Sequence, residues 1–212
     1  ALTVFMEMEE ALTAVSRSSR QNMTLDSKAD SHTRCTVGHL QAHLIALGLL
    51  AVALAVVIGS HSAIWGRPAE VIPDVIFGSG AFFLAIGLAV IAHEALHAVG
   101  FRYFGGAPWK AIRMGIQWRT VTPFARALVP VSARAYRWTA ALPGLALGAL
   151  PMVAGVLLDV PFASGFGVLM LAGAGGDAAI IWAMRHTPDD ALVLDCPHAL
   201  GCLVVPRSTQ SV

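Results

Sequence analysis

Residues 89–101 read AVIAHEALHAVGF, and three of them bring chemistry into an otherwise apolar run: His93, Glu94 and His97. Positions four apart on a helix share one face, so the two imidazoles can aim at a single point. Glu94, one residue after the first histidine, can reach a water held there but is poorly placed to be a third ligand. This is the H-E-x-x-H zinc arrangement. Zinc takes nitrogen, sulfur or oxygen donors in a tetrahedron, and a catalytic site keeps one vertex for water. At this chain's histidine and glutamate content the pattern would arise by chance about 0.007 times. The plain alternative is a pair of surface histidines with an incidental glutamate. A lipid-like setting argues against it, because an ionisable group near the bilayer interior costs at least ~2.5 kcal/mol and usually has functional partners.

Two histidines do not complete a site. Asp177, in AGAGGDAAIIW, is the ionisable residue in another apolar run. His93 lies nine residues before Arg102 and Asp177 lies eight before Arg185. At ~1.5 Å per residue both sit ~12–14 Å inside the same face. Asp177 is therefore the expected third ligand. Gly173, Ala174, Gly175 and Gly176 would let helices approach closely there and loosen the helix. The alternative for Asp177 is a carboxylate paired with a basic residue or a helix N-terminus.

The elements that must position these residues are membrane-like. The chain has 212 residues, 56% of them hydrophobic and 13% charged, with mean hydropathy +0.68. Soluble domains carry about 25% charged residues, so the deficit points to lipid. A net charge of +1 gives no case for nucleic acid. Four apolar runs approach the ~20 residues a membrane helix needs: His43–Gly59, Val75–Phe101, about Trp138–Leu158 with Pro143 and Pro151 inside it, and about Phe162–Met184. Only Asp159 to Pro161 separate the last two, which predicts a tight antiparallel hairpin. The segment 102–137 holds seven Lys or Arg and no acid, whereas loop 60–74 holds only Arg67. The positive-inside bias then puts both termini and 102–137 in the cytoplasm.

Within that basic segment Ile112, Met114, Ile116 and Trp118 alternate with Arg113, Gly115, Gln117 and Arg119, the period of a half-buried strand. Gly105, Gly106 and Pro108 open it and Pro123 closes it. The expected fold is mainly α: a polytopic membrane protein with about four transmembrane helices and a short cytoplasmic β-hairpin between the second and third. Residues 1–36 read as a polar, disordered tail without a signal-peptide core, though Phe5–Val15 is a candidate short helix. Residues 37–187 form the transmembrane domain, and 188–212 a cytoplasmic C-terminal tail. Cys35, Cys196 and Cys202 fit no disulfide framework and read as reduced thiols. Asp195, Cys196, His198 and Cys202 lack the spacing of a standard second metal site. His32, His39, His43, His61 and His186 fall near span ends and loops and are not counted as ligands.

HEALHAVGF, PVSARAYRWTAALPGLALGALP, GAGGDAAI and DALVLDCPHALGC together resemble the zincin peptidase family of small membrane proteins, whose architecture is similar to that of site-2 intramembrane metalloproteases. The resemblance covers roughly residues 39–205. It implies that His93, His97 and Asp177 bind Zn2+ and that Glu94 is catalytic. Site-2 proteases usually hold the distal aspartate in Asn-Pro-Asp-Gly or Leu-Asp-Gly; here it stands in Gly-Gly-Asp-Ala. The expected activity is that of an intramembrane or membrane-associated zinc metalloprotease, hydrolysing a peptide bond in a membrane protein or peptide substrate of the lipid bilayer with a zinc-bound water and a Glu base. The strands expected at 110–121 would pair with an extended substrate, and Arg and Tyr residues near 102–137 are candidates to stabilise the oxyanion. The expected location is the plasma membrane of a prokaryote. The rival is a non-proteolytic metal-binding membrane scaffold or transport component, for which an ionisable Glu94 has no use.

Overall fold

The structure, a computed structural model, describes residues 34–66, 80–117, 122–196 and 199–205. The candidate helix Phe5–Val15 lies outside them, as do His32, Trp118, Arg119 and His198. Continuous apolar sequence without charge gives long helices. α1 spans His39–Trp65 and α2 spans Gly80–Tyr103. Next come α3, Ala133–Pro143, a π-helical stretch Gly144–Ala149, and α4, Leu150–Leu157. Proline removes a backbone donor and clashes with the preceding turn. The π stretch begins right after Pro143, and Pro151 sits harmlessly in the first turn of α4. α5 is Pro161–Gly173 and α6 is Gly175–Ala183, meeting at a 44° bend.

α1, α2 and the run Ala133–Leu157 are each long and apolar enough to cross a membrane, and the bent pair α5–α6 passes the same test when taken as one span. Leu47, Val52, Phe83, Leu88, Ile91 and Leu150 are exposed, as side chains facing lipid rather than water would be. The expected hairpin of the third and fourth runs is present, turning through Asp159 in the left-handed conformation (φ 53°). Its helices touch through glycine: a Cβ on Gly155 would meet Ser164, on Gly167 Met152, and on Gly148 Leu171. The two numbers of each pair run in opposite senses, which makes the packing antiparallel. Trp65 Nε1 donates to the Val156 carbonyl at 2.9 Å and His61 Nε2 lies 3.2 Å from Ser164 Oγ, tying the end of α1 to this hairpin.

Between α2 and α3, β2 (Ile112–Gln117) pairs antiparallel with β3 (Thr122–Ala127). Pro123, read from sequence as the end of the strand, instead sits inside β3 opposite Ile116. It is tolerated because Leu128 N–H donates to the Ala111 carbonyl and bonding alternates along an antiparallel ladder. Ile116 and Pro123 thus form a non-bonded pair that needs no N–H.

A second sheet joins distant parts of the chain. Its order is β1–β6–β5–β4, with β1 Arg34–Val37, β4 Val131–Ser132, β5 Leu192–Asp195 and β6 Leu200–Val204. Residues at both expected tail boundaries are therefore structured: 34–36 in β1, and 192–195 and 200–204 in β5 and β6. Cys35, Val193 and Cys202 are buried there in one core with Phe101, Tyr136 and Met184. Arg137 clamps this end of α6, donating to the Met184 and Thr187 carbonyls and to Asp189.

Candidate metal centre

Helix α2 presents His93, Glu94 and His97 toward the bend between α5 and α6. The bend follows from its small residues. Gly175 packs so closely on Ala46 of α1 that a Cβ there would collide with it. Asp177 is the third residue of α6, where free backbone N–H groups and the helix dipole favour a carboxylate.

The structure brings His93, His97 and Asp177 together. His93 Nε2 lies 3.1 Å from Asp177 Oδ2, and His97 Nε2 lies 3.3 Å from Asp177 Oδ1. All three side chains are 12–18% exposed. Donors at ~2.0–2.2 Å from a tetrahedral zinc stand about 3.3–3.6 Å from one another, and each histidine stands close to that separation from one of the two Asp177 oxygens. Donor atoms of His93, Glu94 and His97 also lie within 4.8 Å of one another, so two carboxylates face the imidazole pair. Glu94 is distinguished by a second neighbour, the Ala125 backbone N–H, which faces its carboxylate. That N–H is free because Ala125, opposite Met114, is in a non-bonded pair of the ladder.

The other side of His97 settles its tautomer. Nδ1 lies 3.1 Å from the Thr139 carbonyl oxygen, which can only accept, so Nδ1 carries the hydrogen. In neutral imidazole the lone pair is then on Nε2, directed at a carboxylate oxygen. A nitrogen and a carboxylate oxygen at 3.3 Å are bridged either by a proton or by a metal cation, and the donor set of two imidazoles and a carboxylate fits zinc. Gly100 permits the Thr139 contact, since a Cβ there would come within 2.9 Å of Thr139.

Sequence reasoning did not foresee Thr139 or Ala125. Both act through main-chain atoms, which residue type does not advertise. Of the oxyanion candidates, Tyr136 shares a cavity of about 100 Å³ with His97, Asp177 and Asp195. Its hydroxyl donates to Asp195 Oδ1 at 2.7 Å, and Arg126 Nε lies 4.0 Å from Asp195 Oδ2. Burial holds the Asp195 carboxyl above the usual carboxylate range despite these partners. Burial, reinforced by Cys35 and Asp195, pushes the Cys202 thiol up to about 12, as expected of an inert core thiol. Among the described residues, Asp195, Cys196 and Cys202 form no metal-capable group; the one such cluster is His93, Glu94 and His97.

The chain thus combines helices long and apolar enough to cross a membrane with an H-E-x-x-H helix whose histidines face Asp177. A family model described as "Putative zincin peptidase" matches residues 86–192, just over half of the chain, and the chain belongs to that family. No curated protein matches the chain, and no solved structure does.

Proposed function

We propose that this protein is an intramembrane zinc metallopeptidase in which His93, His97 and Asp177 hold the metal and Glu94 is the general base. The observation that carries the reading is the convergence of three side chains from two helices: the His97 ring, held by the Thr139 carbonyl, turns Nε2 toward Asp177 at 3.3 Å, and His93 Nε2 lies 3.1 Å from the same carboxylate. Zinc bound there supplies Lewis acidity, lowering the pKa of a water toward ~7 and polarising the substrate carbonyl. Glu94, whose carboxylate faces the Ala125 N–H, takes a proton from the attacking water and passes it to the leaving nitrogen. Asp177, in the first turn of α6, faces both imidazoles and holds them in register.

A helix hides its own carbonyls, so a membrane substrate must present an extended segment. The outward main-chain groups of Ile112, Met114 and Ile116 offer an edge for strand addition. Four membrane crossings with both termini cytoplasmic fit the sheet that gathers the chain before α1, between α2 and α3, and after α6, because each pair of helices must return to the same side. The partners are then a membrane protein or peptide substrate and the bilayer itself.

The experiment replaces Glu94 by Gln, keeping shape while removing the base. The variant should retain zinc near one per chain and lose cleavage by at least ~10²-fold, so its natural substrates accumulate uncut in membranes. Normal processing by Glu94→Gln would overturn the peptidase reading in favour of a metal-binding scaffold.

A further inference from the structure

We infer that the cavity beside Glu94 binds one large apolar side chain of the extended substrate segment, next to the bond to be cut. This rests on the peptidase reading and adds a selectivity to it. The cavity measures about 270 Å³ and has His93 and Glu94 at one end. Ile86 and Val90 of α2 and Leu169 and Met170 of α5 form its apolar walls. A cavity of about 150 Å³ accommodates benzene, so this one has room for a leucine or a phenylalanine ring.

Three features favour a peptide side chain over a lipid chain. The cavity ends on the imidazole and carboxylate that would act on a peptide bond, polar groups with nothing to offer an acyl chain. Pro123 of β3 also lines it, placing the cavity beside the strand whose Ala125 N–H faces Glu94. Side chains of an extended segment alternate in direction, so a substrate laid past Glu94 sends one side chain in and the next away. Selectivity should therefore fall on a single position.

Gly173, at the end of α5, completes the lining, and a Cβ built there meets nothing within 4 Å. Its backbone is helical and a Cβ there meets open space, so Gly173→Phe adds bulk at the cavity wall. The test uses full-length protein in phosphatidylcholine vesicles with a synthetic apolar peptide broken by Gly-Pro. One photo-leucine is scanned along the residues beside the break. In zinc-loaded Glu94→Gln protein, cross-links from one position should map to Ile86–Val90 and Leu169–Gly173. Adding Gly173→Phe should reduce them at least ~10-fold with zinc per chain unchanged. With Glu94 intact, Gly173→Phe should lower the preference for Leu over Ala at that position by at least ~10-fold. Cross-links indifferent to Gly173→Phe would overturn the inference. So would labelling of the cavity by a diazirine-bearing lipid that the peptide does not displace. Cavity cross-links in a protein that cuts no peptide would leave the binding site assigned and defeat the peptidase reading.

Discussion

His97 works at both ring nitrogens: the Thr139 carbonyl fixes one, and the other faces Asp177. Hydrogen-bonded partners behind a ligand typically contribute 10–100-fold to metal affinity. Loss of a direct ligand should exceed that, so Asp177→Ala is expected to weaken zinc binding by more than ~100-fold, measured by competition with a chelator of known affinity. Zinc held as tightly as in the unaltered protein would move the third ligand to Glu94, the other carboxylate within reach. At this scale the sequence was informative wherever chemistry resides in a side chain. His93, Glu94 and His97 stand out by type and spacing, and Asp177 by its matched depth from Arg185. Ala125 and Thr139 were not legible, since any residue has an N–H and a carbonyl.

Helices α2 and α3 meet at Gly100 and Thr139, one turn beyond His97 along the same face. Gly100→Ala would drive a Cβ to within 2.9 Å of Thr139. Overpacking of this kind costs about 1–3 kcal/mol and moves the carbonyl that orients His97. The variant should melt at a lower temperature and bind zinc ~10–100-fold more weakly, read by thermal unfolding with and without chelator. Unchanged affinity would show that the Thr139 contact is incidental. The apolar runs gave the helices from sequence because lipid exposure requires long uncharged stretches. Gly173–Gly176 foretold a loosened helix, and the chain does bend between α5 and α6. Pro123 misled, because its tolerance in β3 depends on ladder phase, set by long-range pairing with β2 that local sequence does not display.

Across the whole molecule, β1, β4, β5 and β6 assemble one sheet from segments far apart in the chain. That assembly explains why residues near 34–37 and 192–204 read as tails: a short strand has no local signal of the partner that buries it. It also bears on orientation. With Lys and Arg concentrated in 102–137, a single cysteine at Ser62 should react with an impermeant maleimide applied to intact cells, whereas cysteines at Thr120 or Ser208 should not. External labelling at Thr120 would reverse the topology. The proposed chemistry depends on a metal between α2 and α6. The most direct measurement is elemental zinc per chain in purified protein, unaltered and as the His93→Ala/His97→Ala double variant. The account predicts about one zinc per chain, removable by chelators, and none in the double variant. Equal zinc in both proteins would contradict it.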